Sequence, residues 1–336
     1  MEKPVDSKAE NIAVSVTLAM ILEAAAYPKP GNVHRLKDFK DTSFEHFLAS
    51  AASVQSIFFK CAAMFENNEK NNEMPAFGPL FSEAVRKSQT LQSGGNTHFG
   101  SLLLLLPIAT AAGSLSAVSL SAGSPLAGFD SEILVQKASE ICKNTTAEDA
   151  VHFYKAFGQF SIPVMKADGE TESSYDLTNP NAAENIRREG TTLFRLMEMG
   201  AARDMVAREW VNGFEKSLQF SKKLRDNQIR FSNRPKKCFG SVINSAVVYT
   251  FLELLAAEPD TFISTKFDKE TAAGVQKKAS NILFRKNKRK RMNLKKMIPK
   301  IRKLDNLLQK NKMNPGSTAD IAAAGIFIAL MDGMTI

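Results

Sequence analysis

The stretch Ser93-Gly94-Gly95-Asn96-Thr97-His98-Phe99-Gly100, which leads into Leu102-Leu103-Leu104-Leu105-Leu106-Pro107-Ile108-Ala109-Thr110-Ala111-Ala112, decides how this chain reads. Small polar residues and glycines open directly into an apolar run. That is the order of a flexible loop followed by a buried helix. Free N–H groups at such a helix start favour an anion, and missing β-carbons let a phosphate approach the backbone. His98 sits at the junction, within reach of a bound group. The same order recurs near the C-terminus, where Asn314-Pro315-Gly316-Ser317-Thr318-Ala319-Asp320 precedes the apolar run Ile321 to Met331. Two such loops in one chain point to a polyphosphate site more strongly than either alone.

The flanking sequence is helical in period. Ile12, Val16, Leu18, Leu22 and Ala25 recur near 3.6 residues within Asn11 to Ala26, and Pro28 and Pro30 end that helix. Ser43 to Phe65 carries Phe44, Phe47, Leu48, Ala51, Val54, Phe58 and Ala62 on one side. Pro79 to Leu91, Asp130 to Lys143 and Ala147 to Phe157 read as further helices, the last with Thr146 as N-cap and Asp149 in its first turn. Asn181 to Met199, Asp204 to Leu224, Phe239 to Ala257, Thr271 to Lys286, Met292 to Lys310 and Thr318 to Met331 complete the set. Polar or Gly/Pro-rich loops are expected at 67–75, 122–129, 166–180 and 258–267. Alternating β-branched runs are nearly absent. The expected fold is all-α, a compact multi-helix bundle forming a single domain over 1–336.

Composition narrows the class. The 336 residues are 44% hydrophobic and 24% charged, ordinary values for a large globular core. Met1 to Glu10 is polar, without the apolar core of a signal peptide. The run Leu102 to Ala112 is about half the length needed to span a bilayer. A cytoplasmic protein with no membrane partner is expected. Cys61, Cys142 and Cys238 are far apart and form no CxxC, which argues against a disulfide framework or a zinc site. The net charge of +9 is local: thirteen Lys or Arg and one acid, Asp305, fall between Arg285 and Lys312.

Three polar loops stand out against the helices. The first is Tyr27-Pro28-Lys29-Pro30-Gly31-Asn32-Val33-His34-Arg35, followed by Asp38-Phe39 and Asp41. Lys29, His34 and Arg35 can face one ligand, and Asp38 and Asp41 can hold Mg²⁺ through oxygen. The second runs through His98 and the third ends at Asp320. Each also has a plainer reading: a proline helix stop, a capping or buried histidine, an acid complementing a helix dipole. His46 and His152 read as structural.

Pro28-Lys29-Pro30-Gly31-Asn32-Val33, Gly95-Asn96-Thr97-His98-Phe99-Gly100, Asp260-Thr261 and Pro315-Gly316-Ser317-Thr318-Ala319-Asp320 together resemble the triphosphoribosyl-dephospho-coenzyme A synthase family. The blocks stand in the family's order across nearly the whole chain. Glu209-Trp210-Val211-Asn212-Gly213-Phe214 looks like the archaeal-type branch. The chain departs from the bacterial citrate-lyase pattern at His34, where that pattern has aspartate. It departs again at Lys37-Asp38-Phe39-Lys40-Asp41 and after Asp260-Thr261.

The resemblance implies an all-helical enzyme with ATP as substrate and Mg²⁺ as cofactor. The ribose 2′-hydroxyl of dephospho-coenzyme A attacks C1′ of ATP, and adenine leaves. Cleaving an N-glycosidic bond passes through a cation-like sugar that carboxylates stabilise, with a base for the hydroxyl and an acid for adenine. Carried over by position, Lys29, Gly31, Asn32, His34, Gly95, Asn96, Thr97, Gly316, Ser317 and Thr318 would bind the nucleotide. His98, Asp38 and Asp320 stand for the acid–base roles, and Asp38, Asp41 and Asp320 for the metal.

Other readings remain open at this stage. One is a sister ATP-dependent ribosyl transferase serving another cofactor, such as a pterin-type one-carbon carrier. Another is a non-catalytic nucleotide-binding helical protein. Small molecules are the expected partners. The basic tract has Phe284 as its one neighbouring aromatic, so nucleic acid is not expected. The tract reads as a solvated helical face or as an electrostatic funnel for anionic ligands.

Overall fold

The computed structural model describes residues 7–65, 76–115, 129–159, 175–176, 179–233, 240–284 and 294–336. The expected loop at 67–75, most of those at 122–129 and 166–180, Cys238 and the densest part of the basic tract lie outside them. Among the described residues the chain forms fifteen helices. They are α1 (Lys8–Ala25), α2 (Phe44–Ala63), α3 (Phe77–Ser88), α4 (Phe99–Ser114), α5 (Ser131–Lys143) and α6 (Ala147–Phe157). Next come α7 (Ala182–Glu189), α8 (Leu193–Gly200), α9 (Met205–Val211), α10 (Glu215–Ser232) and α11 (Val242–Ala257). The last four are α12 (Thr261–Lys266), α13 (Lys269–Leu283), α14 (Leu294–Lys310) and α15 (Gly316–Met331). The all-α expectation is met.

Two helices organise the bundle. α4 and α15 are apolar on every side, so neither can turn a face to water, and both are buried almost throughout. They pack on each other. α1, α2, α3, α5 and α9 surround α4, while α1, α10 and α11 surround α15. The polar starts of α4 and α15 are the two glycine-bearing loops of the sequence, so the fold carries both to the middle of the molecule.

Pro107 lies inside α4 without ending it. It has no N–H for the carbonyl of Leu103, one turn earlier. The indole N–H of the fully buried Trp210 donates to that carbonyl instead, at 3.1 Å. A helix from a distant part of the chain thus satisfies the group that proline leaves open.

Three expected elements differ. Asn181 to Met199 is two helices, because Gly190 caps α7 in the left-handed conformation and Thr192 caps α8 by accepting from Arg195. Asp204 to Leu224 breaks at Gly213 and Phe214, both at positive φ. The buried carboxylate of Glu209 accepts the N–H groups of Lys216 and Ser217 at 2.9 and 2.7 Å, which starts α10. Residues 258–267, expected as loop, contain α12. Its N-cap Asp260 is fully buried and accepts from the N–H of Ile263 at 3.0 Å. The other oxygen of Asp260 accepts from the N–H and the hydroxyl of Thr318 at 2.8 and 2.7 Å. One carboxylate therefore joins the starts of α12 and α15. Thr146 and Asp149 do form a capping box at α6.

Cys61 and Cys142 are buried free thiols, and burial pushes Cys61 up to about 12. Among the described residues no helix is long and apolar enough to cross a membrane.

Candidate active site

The first polar loop leaves α1 through a cis Tyr27–Pro28 bond and lies along α14. Asp305 holds it there. One oxygen of Asp305 accepts the Gly31 N–H at 3.0 Å, and the other lies 3.2 Å from His34 Nε2. His34 Nδ1 accepts the Leu36 N–H at 3.3 Å, so Nε2 carries the proton towards Asp305. Gln309 adds a bond to the Asn32 carbonyl at 2.6 Å. Gly31 has φ +79°, and a β-carbon there would stand 2.6 Å from the Met313 carbonyl. The lone acid of the basic tract thus anchors a loop.

Lys29 turns inward from that loop. It is 1% exposed, and its ammonium donates to the Glu23 carboxylate and, at 2.8 Å, to the Glu23 carbonyl. Phe251 lies beneath it, 6.0 Å away. Burial pushes Glu23 up and Lys29 down, each towards neutrality, and their mutual attraction opposes this.

The second loop ends in His98, buried at the start of α4. Asn96 accepts the Phe99 N–H at 3.0 Å and caps the helix. His98 Nδ1 is 2.9 Å from Ser50 Oγ, and the ring packs edge-on against Phe47. Burial, then the charge of Lys29, lowers His98 to about 3. The imidazole is neutral at physiological pH. Its Nε2 is buried with no partner.

The third loop places Ser317 2.9 Å from Thr261, which in turn accepts the Met205 N–H at 3.0 Å. One turn along α15, Asp320 accepts the Ser101 hydroxyl at 2.6 Å. Burial, reinforced by Glu23, Asp204 and Asp260, raises Asp320 to about 8, although the Ser101 bond works the other way. Asp320 is thus mostly a neutral acid at pH 7. A β-carbon on Gly100 would stand 2.1 Å from Asp320 Oδ2, so only glycine admits this carboxyl.

All three loops line one cavity of about 1210 Å³. Lys29, Asn32, Asp38, Asp41, Asn96, Thr97, His98, Gly316, Ser317 and Asp320 are on its wall. Gly31, His34, Gly95 and Thr318 are not. Gly31 and His34 are tied to α14, Thr318 is bound to Asp260, and Gly95 faces open space. Asp38 and Asp41 are exposed residues of the wall, and Asp38 also accepts the Phe44 N–H at 2.8 Å. Among the described residues, no three His, Cys, Asp or Glu side chains are grouped so that they could hold a metal ion.

Four buried side-chain atoms on the wall lack partners: Asn32 Nδ2, Thr97 Oγ1, His98 Nε2 and Asn314 Oδ1. Buried polar atoms are usually paired with protein or water, so these four are open hydrogen-bonding positions on the wall. The sequence reading missed Glu23, Ser101, Asp204 and Gly100 as site residues. Glu23 carried a signal, being a lone acid in an apolar helix end six residues before Lys29.

A helical bundle with a polar, acid-lined cavity at the starts of two buried helices suits group transfer on a large polar substrate. A family model described as CitG, ATP:dephospho-CoA triphosphoribosyl transferase, matches residues 9–335. The chain belongs to that family and is a transferase that uses ATP as substrate. The structure resembles the crystal structure of a proposed triphosphoribosyl-dephospho-coA synthase from Archaeoglobus fulgidus. That likeness has a TM-score of 0.58 and 25% identity, covering 85% of this chain and 99% of the other. No curated protein matches the chain.

Proposed function

We propose that this chain moves the triphosphoribosyl group of ATP to the 2′-hydroxyl of dephospho-coenzyme A, with Asp320 as general acid and His98 as the acceptor of the hydroxyl proton. The observation that carries the reading is a protonated carboxyl and a neutral, unpartnered imidazole nitrogen on one cavity wall.

The step balances as follows. The C1′–N9 bond breaks, and its electrons leave with adenine as Asp320 gives adenine a proton. Positive charge develops on the sugar, near the carboxyls of Glu23 and Asp320. The 2′-oxygen bonds to C1′, and its proton passes to His98 Nε2. Solvent then carries that proton back to the Asp320 carboxylate. A site that must not cleave phosphates keeps the triphosphate away from this chemistry.

The cavity exceeds the ~300–1,000 Å³ of a typical single-ligand site, as two substrates require. Mg²⁺ is commonly held by one or two carboxylates plus substrate phosphates. Asp38 and Asp41 suit that role, and the ion would neutralise phosphate charge.

Incubation with ATP, Mg²⁺ and dephospho-coenzyme A, followed by mass spectrometry, tests the reading. Free adenine and an adduct carrying all three phosphates are expected in equal amounts. ADP or AMP as the nucleoside product would overturn it. Adenine release with a different alcohol and none with dephospho-coenzyme A would reassign the acceptor.

A further inference from the structure

The cavity separates its charges. At its floor one buried ammonium, Lys29, lies among the carboxyls of Glu23 and Asp320. Glu23 already binds that ammonium. Burial raises both acids, the state of a site that resists further negative charge. A triphosphate placed against Lys29 would meet these acids, not a free cation.

The mouth is richer in cations, although Asp38 and Asp41 also stand there. Lys37, Lys40, Lys266, Lys310 and Lys312 line it, brought from three separate parts of the chain. Among the described residues, Lys40, Lys266, Lys310 and Lys312 have no carboxylate within ion-pair distance. The Lys266 ammonium donates to the Lys312 backbone carbonyl at 3.2 Å, which ties the Lys266 side chain to that turn of the mouth. Burial, then the neighbouring Lys312 charge, lowers Lys266. The Lys266 and Lys312 ammoniums repel each other, and among the described residues neither has a counter-ion. Beside them, Asn32 Nδ2 is a buried donor without an acceptor, on the loop that Gln309 fastens to α14.

We infer that Lys266, Lys310 and Lys312, with Asn32 Nδ2, form the polyphosphate subsite of this cavity, and that Lys29 does not bind phosphate. The inference rests on the proposed transfer reaction for its substrates but not for its test. Two polyphosphates are available, the triphosphate of the donor and the diphosphate of the acceptor. The chemistry of the subsite is common to both.

The test is binding of inorganic tripolyphosphate, measured by calorimetry without acceptor or turnover. The variant is Lys266→Gln/Lys310→Gln/Lys312→Asn. Asparagine is chosen because Lys312 has φ +54°, which asparagine tolerates. All three lysines are exposed, so the fold should persist, and an unchanged thermal midpoint checks this. Tripolyphosphate affinity should fall about tenfold or more, and the wild-type affinity should itself weaken as salt rises. Apparent KM arms then separate the sources: a rise for ATP assigns the donor triphosphate, and a rise for dephospho-coenzyme A assigns the acceptor diphosphate. Tripolyphosphate binding that survives in the triple variant, or is absent in the wild type, would overturn the inference. So would its selective loss in a folded Lys29→Met/Glu23→Gln variant. A wild type that binds tripolyphosphate yet releases no adenine would refute the transfer reading and leave the subsite standing.

Discussion

Asp320 shows how one residue's chemistry is set by its neighbours. Its carboxyl needs a glycine opposite, a serine hydroxyl beside it and other acids nearby. Gly100→Ala should therefore disturb the acid itself. A β-carbon 2.1 Å from Oδ2 forces the carboxyl or α4 to shift, and adenine release should drop at least about tenfold with the fold retained. Steady-state assays with circular dichroism check this; full activity would show that Asp320 moves freely. Lys29→Ala is a different kind of lesion. It leaves the Glu23 carboxyl buried without its cation, and breaking such a pair costs about 3–5 kcal/mol. Urea denaturation should show the loss, with much of it recovered in Lys29→Met/Glu23→Gln. An Ala variant as stable as wild type would remove the pair from the account.

At the scale of elements, the apolar helices were legible because their composition admits one solution. Leu102 to Ala112 and Ile321 to Met331 have no polar face and must be buried. The break at Gly213–Phe214 was not legible because the nearby Glu209 carboxylate turns inward to start the next helix, and the start of α12 was not because a distant partner decides it. Asp260 looks like any loop acid until Thr318 is placed beside it. Likewise Pro107 reads as a helix hazard until Trp210 is seen bonding the Leu103 carbonyl. Trp210→Phe keeps most of the packing and removes the indole N–H. It should cost about 1–3 kcal/mol, the penalty for a buried carbonyl left unpaired. Thermal or urea unfolding measures it, and an unchanged midpoint would mean that another donor serves Leu103.

The site follows the same division. His98, Asp320, Lys29 and Ser317 were readable because they stand in polar loops beside apolar helices. Their partners Ser50 and Ser101 were not, since each lies in an ordinary helical segment; Thr261 stood in a quoted block, but its pairing with Ser317 shows only in the fold. His34 had the right residue type and the right loop. Only the three-dimensional position of Asp305 shows that its ring serves the fold.

Across the whole molecule, the helices bring residues 28–41, 94–100 and 314–320 to one cavity, with Glu23 and Asp320 at its floor and a cluster of lysines at its mouth. In the proposed reaction this geometry divides the labour: phosphate charge would be neutralised at the mouth, and a proton would be delivered at the floor. The raised Asp320 also has a thermodynamic consequence. Its folded value of about 8 lies above the ordinary 3.8, so the native state holds the proton more tightly than the unfolded chain does. Its contribution to stability is full at acid pH, below the unfolded value, and is lost as pH rises towards 8. The same protonated form is the one the proposed general-acid role needs.

The most direct measurement is single-turnover adenine release against pH, in the wild type and in Asp320→Asn. With Asp320 as the acid, the wild-type rate should hold through neutral pH and fall as pH rises through about 8. Asp320→Asn should be slower by about 10²–10⁴-fold and should lack that fall. A wild-type rate that climbs through pH 8, or an Asp320→Asn variant that releases adenine at the wild-type rate, would contradict the account.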